Sequence, residues 1–194
     1  MDFAYVYFMK CQNPSAKKEN RHTFALYQRE MSRELLSKCF IEKLGEYPLP
    51  QIEYDKAGKP FLKHSDLCVS FSHCSDAVAC AVSNCEIGID IETVFPSVPH
   101  SCDYFLSQNE KQWAFQHTPS IPYLTMLWSM KEAYGKHLGI GLRYPFSKTN
   151  FCFEFDTLYH FDGNYAICKY NSMEGVVLSS WSKILPQFFL VSHF

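Results

Sequence analysis

Residues 85–92 read Cys-Glu-Ile-Gly-Ile-Asp-Ile-Glu and alternate strictly: Ile87, Ile89 and Ile91 share one parity, Asp90 and Glu92 the other. In an extended segment the isoleucines turn to a core and the two carboxylates stand side by side on the opposite face. They lie roughly 7 Å apart along the strand and repel unless a cation sits between them. A hard divalent ion such as magnesium suits that place, because it takes oxygen ligands and keeps positions for water and phosphate. The competing reading is a solvated acidic pair at a strand end. A third carboxylate comes from Trp128-Ser-Met-Lys131-Glu132-Ala-Tyr-Gly-Lys136. Glu132 and Lys136, four apart, share one helix face with Trp128. As an exposed ion pair they would contribute only about 0.3 kcal/mol. If that helix crosses the acidic strand, Asp90, Glu92 and Glu132 surround one metal ion, and Lys136 stands a turn away at phosphate distance. His73, at a strand end, suits either a satisfied surface histidine or a phosphate donor.

The elements that must position these groups are legible in outline. Residues 2–9 are β-branched and aromatic, as in a buried strand. A polar loop with Pro14, Lys17, Lys18, Arg21 and His22 precedes a long amphipathic helix over about 23–44. There Phe24, Tyr27, Met31, Leu35, Cys39 and Phe40 recur at helical spacing, and Gly45 closes the helix. Its polar face carries Arg29, Arg33 and Lys38. Two short extended pieces flank a turn at 55–58, with Lys59 held extended before Pro60. Segments 67–72 and 77–83 read as antiparallel strands leading into the acidic one.

Beyond Glu92, Pro96 and Pro99 mark a loop. Ser107-Gln-Asn-Glu110 fits a capping box opening a short helix. The helix of Glu132 spans about 123–138, with Gly135 inside it costing roughly 1 kcal/mol against alanine. Strands are expected at 151–155, 165–170, 176–182 and 188–191. The chain therefore reads as α+β, in two similar halves related by a pseudo-twofold. Each half, 1–93 and 94–194, is a helix packed on a small antiparallel sheet, with a linker and capped helix at about 94–118.

Composition bounds the functional classes. Apolar residues make up 47% and charged ones 20% of the 194 residues, an ordinary globular balance. A formal net charge of -2 argues against binding nucleic acid through bulk charge. No apolar run reaches the length of a membrane span, and the N-terminus lacks a secretory pattern. Nine scattered cysteines without a Cys-x-x-Cys fit free thiols in a reduced cytoplasm rather than disulfides or a zinc site.

Taken together, Gly58-Lys59-Pro60, Phe71-Ser72-His73-Cys74, Gly88-Ile-Asp90-Ile-Glu92 and Trp128-x-x-Lys131-Glu132-x-x-x-Lys136 resemble the motifs of 4′-phosphopantetheinyl transferases. The similarity is to the larger, surfactin-type branch and covers about 33–142. The resemblance implies transfer of the phosphopantetheine arm of coenzyme A to a serine of an apo acyl or peptidyl carrier protein, with release of adenosine 3′,5′-bisphosphate. It implies magnesium held by Asp90, Glu92 and Glu132, and Lys136 on the diphosphate. Arg33 and His73 are implied near the 3′-phosphate, Gly58, Lys59 and Pro60 along the adenosine, and Ser72 among the coenzyme-binding residues. It leaves open whether Glu132 or a water accepts the serine proton. The carrier is expected around 95–118, and the protein is expected to be a monomer. Two other readings stand beside it: a metal-dependent phosphohydrolase using the same carboxylates, and a non-catalytic binder of carrier or coenzyme.

Overall fold

The computed structural model describes residues 2–11, 21–46, 48–172 and 175–191; Lys17 and Lys18 lie outside them. Strand β1 (Ala4–Lys10) leads to helix α1 (Arg21–Cys39), whose last turn widens into a π-turn at Phe40–Leu44. Gly45 then ends it with φ +67°, as expected of a glycine in that position. The hairpin β2 (Ile52–Tyr54) and β3 (Pro60–Leu62) follows, then β4 (Cys68–His73), β5 (Ala77–Ser83) and β6 (Ile87–Thr93). Next come α2 (Cys102–Phe105), α3 (Gln108–Phe115) and α4 (Ile121–His137). The chain finishes with β7 (Tyr159–Phe161), β8 (Asn164–Asn171), β9 (Val176–Ser182) and β10 (Gln187–Leu190).

The protein is an α+β molecule with two sheets. Six strands run in the order β10-β1-β5-β4-β3-β2, four in the order β6-β9-β8-β7. Both sheets are alternating, so each has two distinct faces. Val78, Cys80 and Val82 of β5 pack with Leu35, Leu36 and Phe40 of the first helix. The opposite parity, Ala77, Ala79 and Ala81, meets Ile87, Ile89, Ile91 and Leu178 of the smaller sheet. The other face of that sheet, through Val177 and Trp181, packs on Leu127, Met130, Ala133 and Tyr134 of α4. The layers are therefore helix, sheet, sheet, helix, and the small alanine faces leave room for the isoleucines between the sheets.

Sheet membership crosses the chain order at two points. β6 does not continue the first meander; it pairs antiparallel with β9, Asp90 opposite Ser179. Its free edge is met by hydroxyls instead of a strand: Ile89 N–H donates to Ser70 Oγ and Ile91 N–H to Ser72 Oγ, both at 3.2 Å. In exchange, β10 joins the larger sheet parallel to β1. A further difference concerns 151–155, which forms no strand. The Phe151 N–H is taken by Glu110 Oε1 at 2.8 Å, so the segment is tied to the α3 start rather than to a sheet. The expected capping box is present, with Ser107 and Glu110 satisfying each other's backbone N–H.

Two glycines bring α4 against its neighbours. A Cβ on Gly88 would overlap the carbonyl oxygen of Ala133 and the amide nitrogen of His137, and sit 2.8 Å from His137 Cα. Gly135, costly by helix propensity alone, is explained by the loop beyond the helix: a Cβ there would lie 2.5 Å from the Gly141 carbonyl oxygen. All the atoms met at Gly88 are backbone and cannot swing aside. Gly88→Ala is therefore expected to cost about 3 kcal/mol, read as a lower urea midpoint at unchanged slope; an unchanged midpoint would refute the close approach.

Candidate active site

The Gly88 contact decides where the carboxylates go. Gly88, Asp90 and Glu92 share one parity, so the face that meets α4 at its glycine carries both acids toward the helix. Ala133 and His137, the residues touched, directly follow Glu132 and Lys136 in the chain. Strand and helix thus deliver their charged groups to one place. Further bonds fix the seam: Ser129 Oγ donates to the Asp90 carbonyl at 3.2 Å, and Trp128 Nε1 to Glu92 Oε1 at 3.1 Å.

Asp90 is 2% exposed. Its Oδ1 accepts the Ser72 hydroxyl and the Lys136 ammonium, each at 2.7 Å, while Oδ2 is buried without a partner among the described residues. Lys136 also lies 2.9 Å from Ser72 Oγ and 4.0 Å from Glu132 Oε2. Ser72 is therefore a buried link between Asp90 and Lys136, not a group facing open solvent. Burial, and then repulsion by Asp90, push Glu92 up to about 8 and Glu132 up to about 7, from the 4.5 of an ordinary glutamate. Three acids crowded this way favour any cation that can join them. Among the described residues, no three His, Cys, Asp or Glu side chains already stand as a ligand set. As the side chains lie, Lys136 supplies the local positive charge. The unpartnered Asp90 Oδ2 is nevertheless an oxygen donor with nothing to donate to, so the residues fit a hard cation.

Beside Lys136 opens a cleft of about 520 Å³ between the first helix, the β2–β3 hairpin, β4 and the loop after α4. Of the residues expected at a ligand, Arg33, Gly58, Lys59, Pro60, His73 and Lys136 line it; Asp90, Glu92, Glu132 and Ser72 do not, and all of these but Glu92 connect to it through Lys136. Arg29 and Tyr54 line it as well. Arg29 is one helical turn before Arg33, and that spacing was the available signal that both cations face the same side. Surrounding protein, then the charges of Lys136 and Arg29, hold His73 below its ordinary range although the ring reaches solvent. The cleft is thus cationic, and the carboxylates form a separate acidic group at its inner end.

Lys131, inside the same helical motif, serves elsewhere. It is fully buried, 2.8 Å from Glu110 Oε2, and donates to the carbonyls of Phe146 at 2.5 Å and Thr149 at 3.0 Å. Glu110 in turn holds the Ser107 and Phe151 amides. This pair locks α3 and the 146–151 segment to α4.

Two predictions follow from these buried charges. Glu92 and Glu132 titrate above 4.5 in the fold, so the stability they lend is complete below about 4.5 and is lost as pH rises through about 7 and about 8. Chelator-treated protein should show a thermal midpoint that falls across that window, with the fall reduced in Glu92→Gln; a rising midpoint would contradict the assignment. Lys131→Met strands the Glu110 charge and should cost about 4 kcal/mol by urea unfolding, whereas a loss under about 1 kcal/mol would mean the pair is hydrated.

Residues 86–180, which hold both the acidic strand and α4, match the model of the 4'-phosphopantetheinyl transferase superfamily. The chain is 29% identical over 141 residues to 4'-phosphopantetheinyl transferase gsp of Aneurinibacillus migulanus, covering 68% of this chain and 59% of the relative. It is 32% identical over 125 residues to 4'-phosphopantetheinyl transferase psf-1 of Bacillus pumilus, covering 62% and 54%. To 4'-phosphopantetheinyl transferase Sfp of Bacillus subtilis (strain 168) it is 27% identical over 169 residues, covering 82% and 72%. The matched regions thus span little more than half the length of the first two relatives. No helix among the described residues is long and apolar enough to cross a membrane. The matched stretch coincides with the strand–helix seam built above, so residues 86–180 are the part of the chain that carries the likeness to the 4'-phosphopantetheinyl transferase superfamily.

Proposed function

We propose that this chain is a magnesium-dependent enzyme that moves the 4′-phosphopantetheine arm of coenzyme A onto a serine of an apo acyl or peptidyl carrier protein. The observation that carries this reading is the pairing of a cationic cleft with a largely buried acidic group, bridged by Lys136. A ligand with phosphates at both ends of a nucleotide needs both parts: cations for its phosphates and a metal position at the reacting diphosphate. Simple phosphate hydrolysis has less use for a cleft this long and this basic.

Asp90, Glu92 and Glu132 would hold the ion, which when bound neutralises charge developing on the diphosphate. The serine oxygen bonds to the β-phosphorus as the bond from that phosphorus to the bridging oxygen breaks. Adenosine 3′,5′-bisphosphate departs with the electron pair. Glu132 has a share in taking up the serine proton, directly or through a water. Lys136, exposed on its cleft side, contacts the diphosphate. Arg33 and His73 receive the 3′-phosphate, and Gly58, Lys59 and Pro60 run along the adenosine. Ser72 acts on the coenzyme only indirectly, by orienting Asp90.

The remaining parts of the reading concern architecture and setting. A surfactin-type pair of halves, 1–93 and 94–194, is supported by a helix on the outer face of each sheet, with β6 and β10 exchanged. Both halves in one chain favour a monomer. All nine cysteines are unpaired, which suits a reduced cytoplasm. The carrier is assigned to the 95–118 region, where Tyr104 is 84% exposed.

The decisive experiment incubates the protein with coenzyme A, magnesium and an apo carrier and weighs the carrier. A mass gain of one phosphopantetheine arm is expected, and Asp90→Asn and Glu132→Gln should each lower the rate at least about 1,000-fold with unchanged circular dichroism. Phosphate released from coenzyme A without carrier labelling would favour a hydrolase, and neither product a binder. Near-normal turnover by either variant at saturating magnesium would remove it from the metal site.

A further inference from the structure

Lys59 lines the cleft, yet its charge is directed elsewhere. Its ammonium pairs with Glu86 and lies 3.4 Å from the His137 carbonyl oxygen. The residue is held at its root as well: its N–H donates to Asp55 Oδ1 at 2.8 Å, inside the hairpin turn. Between root and head, the stem passes over the loop after α4. A Cβ on Gly139 would come within 3.2 Å of Lys59 Cδ and 3.9 Å of Nζ, so the stem lies close against this glycine. Lys59 also borders a second, smaller cavity of about 220 Å³, whose wall includes Glu86. The lysine thus borders both cavities, with its charge held on Glu86.

The cations lining the cleft otherwise are Arg29, Arg33 and Lys136. What Lys59 offers a ligand is therefore a four-carbon apolar surface next to Pro60 and Tyr54. Such a surface suits a flat, uncharged ring rather than a phosphate. Glu86 comes from the turn before β6, so the pair also ties the hairpin to the strand that carries the acids.

Building on the reading of this cleft as the coenzyme A site, we propose that Glu86 is a positioning residue for it. Glu86 draws the Lys59 ammonium out of the cleft, so that the stem faces the purine and the charge does not compete for the phosphates. With Glu86 neutralised, Lys59 is free to turn inward and behaves as an added phosphate-seeking cation.

Calorimetric titration with coenzyme A at low and high salt tests this in wild type, Lys59→Ala, Lys59→Met, Glu86→Gln and the Lys59→Met/Glu86→Gln pair. Lys59→Ala should weaken binding about tenfold and Lys59→Met only about twofold, since methionine keeps most of the stem. Glu86→Gln should tighten binding about threefold at low salt, with a steeper salt dependence, and that gain should vanish on the Lys59→Met background. Equal losses in Lys59→Met and Lys59→Ala would show a phosphate contact and overturn the proposal. So would a Glu86→Gln effect that is absent, or that persists without the lysine. Wild-type protein that fails to bind coenzyme A would instead refute the functional reading on which the proposal rests.

Discussion

Everything at the acidic site depends on one steric fact: a strand and a helix touch backbone to backbone at Gly88. Side chains normally hold a helix well off a sheet. Here the missing Cβ lets α4 settle directly on β6, and the residues that follow Glu132 and Lys136 make the contact. The approach brings acids from a strand and a helix forty or more positions apart into one largely buried group. The same contact excludes water from Asp90 and so creates the electrostatic tension that a cation relieves.

That tension is managed rather than removed. Asp90 takes one hydroxyl and one ammonium on a single oxygen, leaving the other without a partner. Glu92 keeps one indole bond, and Glu132 sits near Lys136 without a close pairing. By contrast, the second buried ion pair, Lys131–Glu110, is saturated on both sides by backbone amides and carbonyls. Two lysines five residues apart on one helix thus serve opposite ends. Lys131 closes its network and fixes structure; Lys136 leaves its network open and faces a cleft.

Much of this was legible in the residues. Alternation from Ile87 to Glu92 marked the strand and its two faces, Gly45 marked a helix end, and Ser107 with Glu110 marked another's start. Local rules govern these features, so local sequence reveals them. Partnership in the sheets was not legible. β6 follows β5 by a short turn and reads as the next strand of the same meander, yet it pairs with β9. Hydroxyls of Ser70 and Ser72 satisfy its free edge, and no local pattern announces side chains acting as a strand substitute. Gly135 misled for a related reason: propensity counts the helix alone, whereas the carbonyl of Gly141 occupies the space a Cβ would need. Lys131 stood within a recognised motif, but only tertiary contact separates it from Lys136.

The parallel pairing of β10 with β1 has a consequence for how the molecule comes into being. During translation β1 emerges well before β10, so one of its flanks waits until residues 187–190 have been made. The larger sheet therefore closes only after the smaller one has its strands available. Because β6 of the smaller sheet follows β5 of the larger directly, and β10 of the larger follows β9 of the smaller, the sheets are tied together twice along the chain, and unfolding should proceed as a single event.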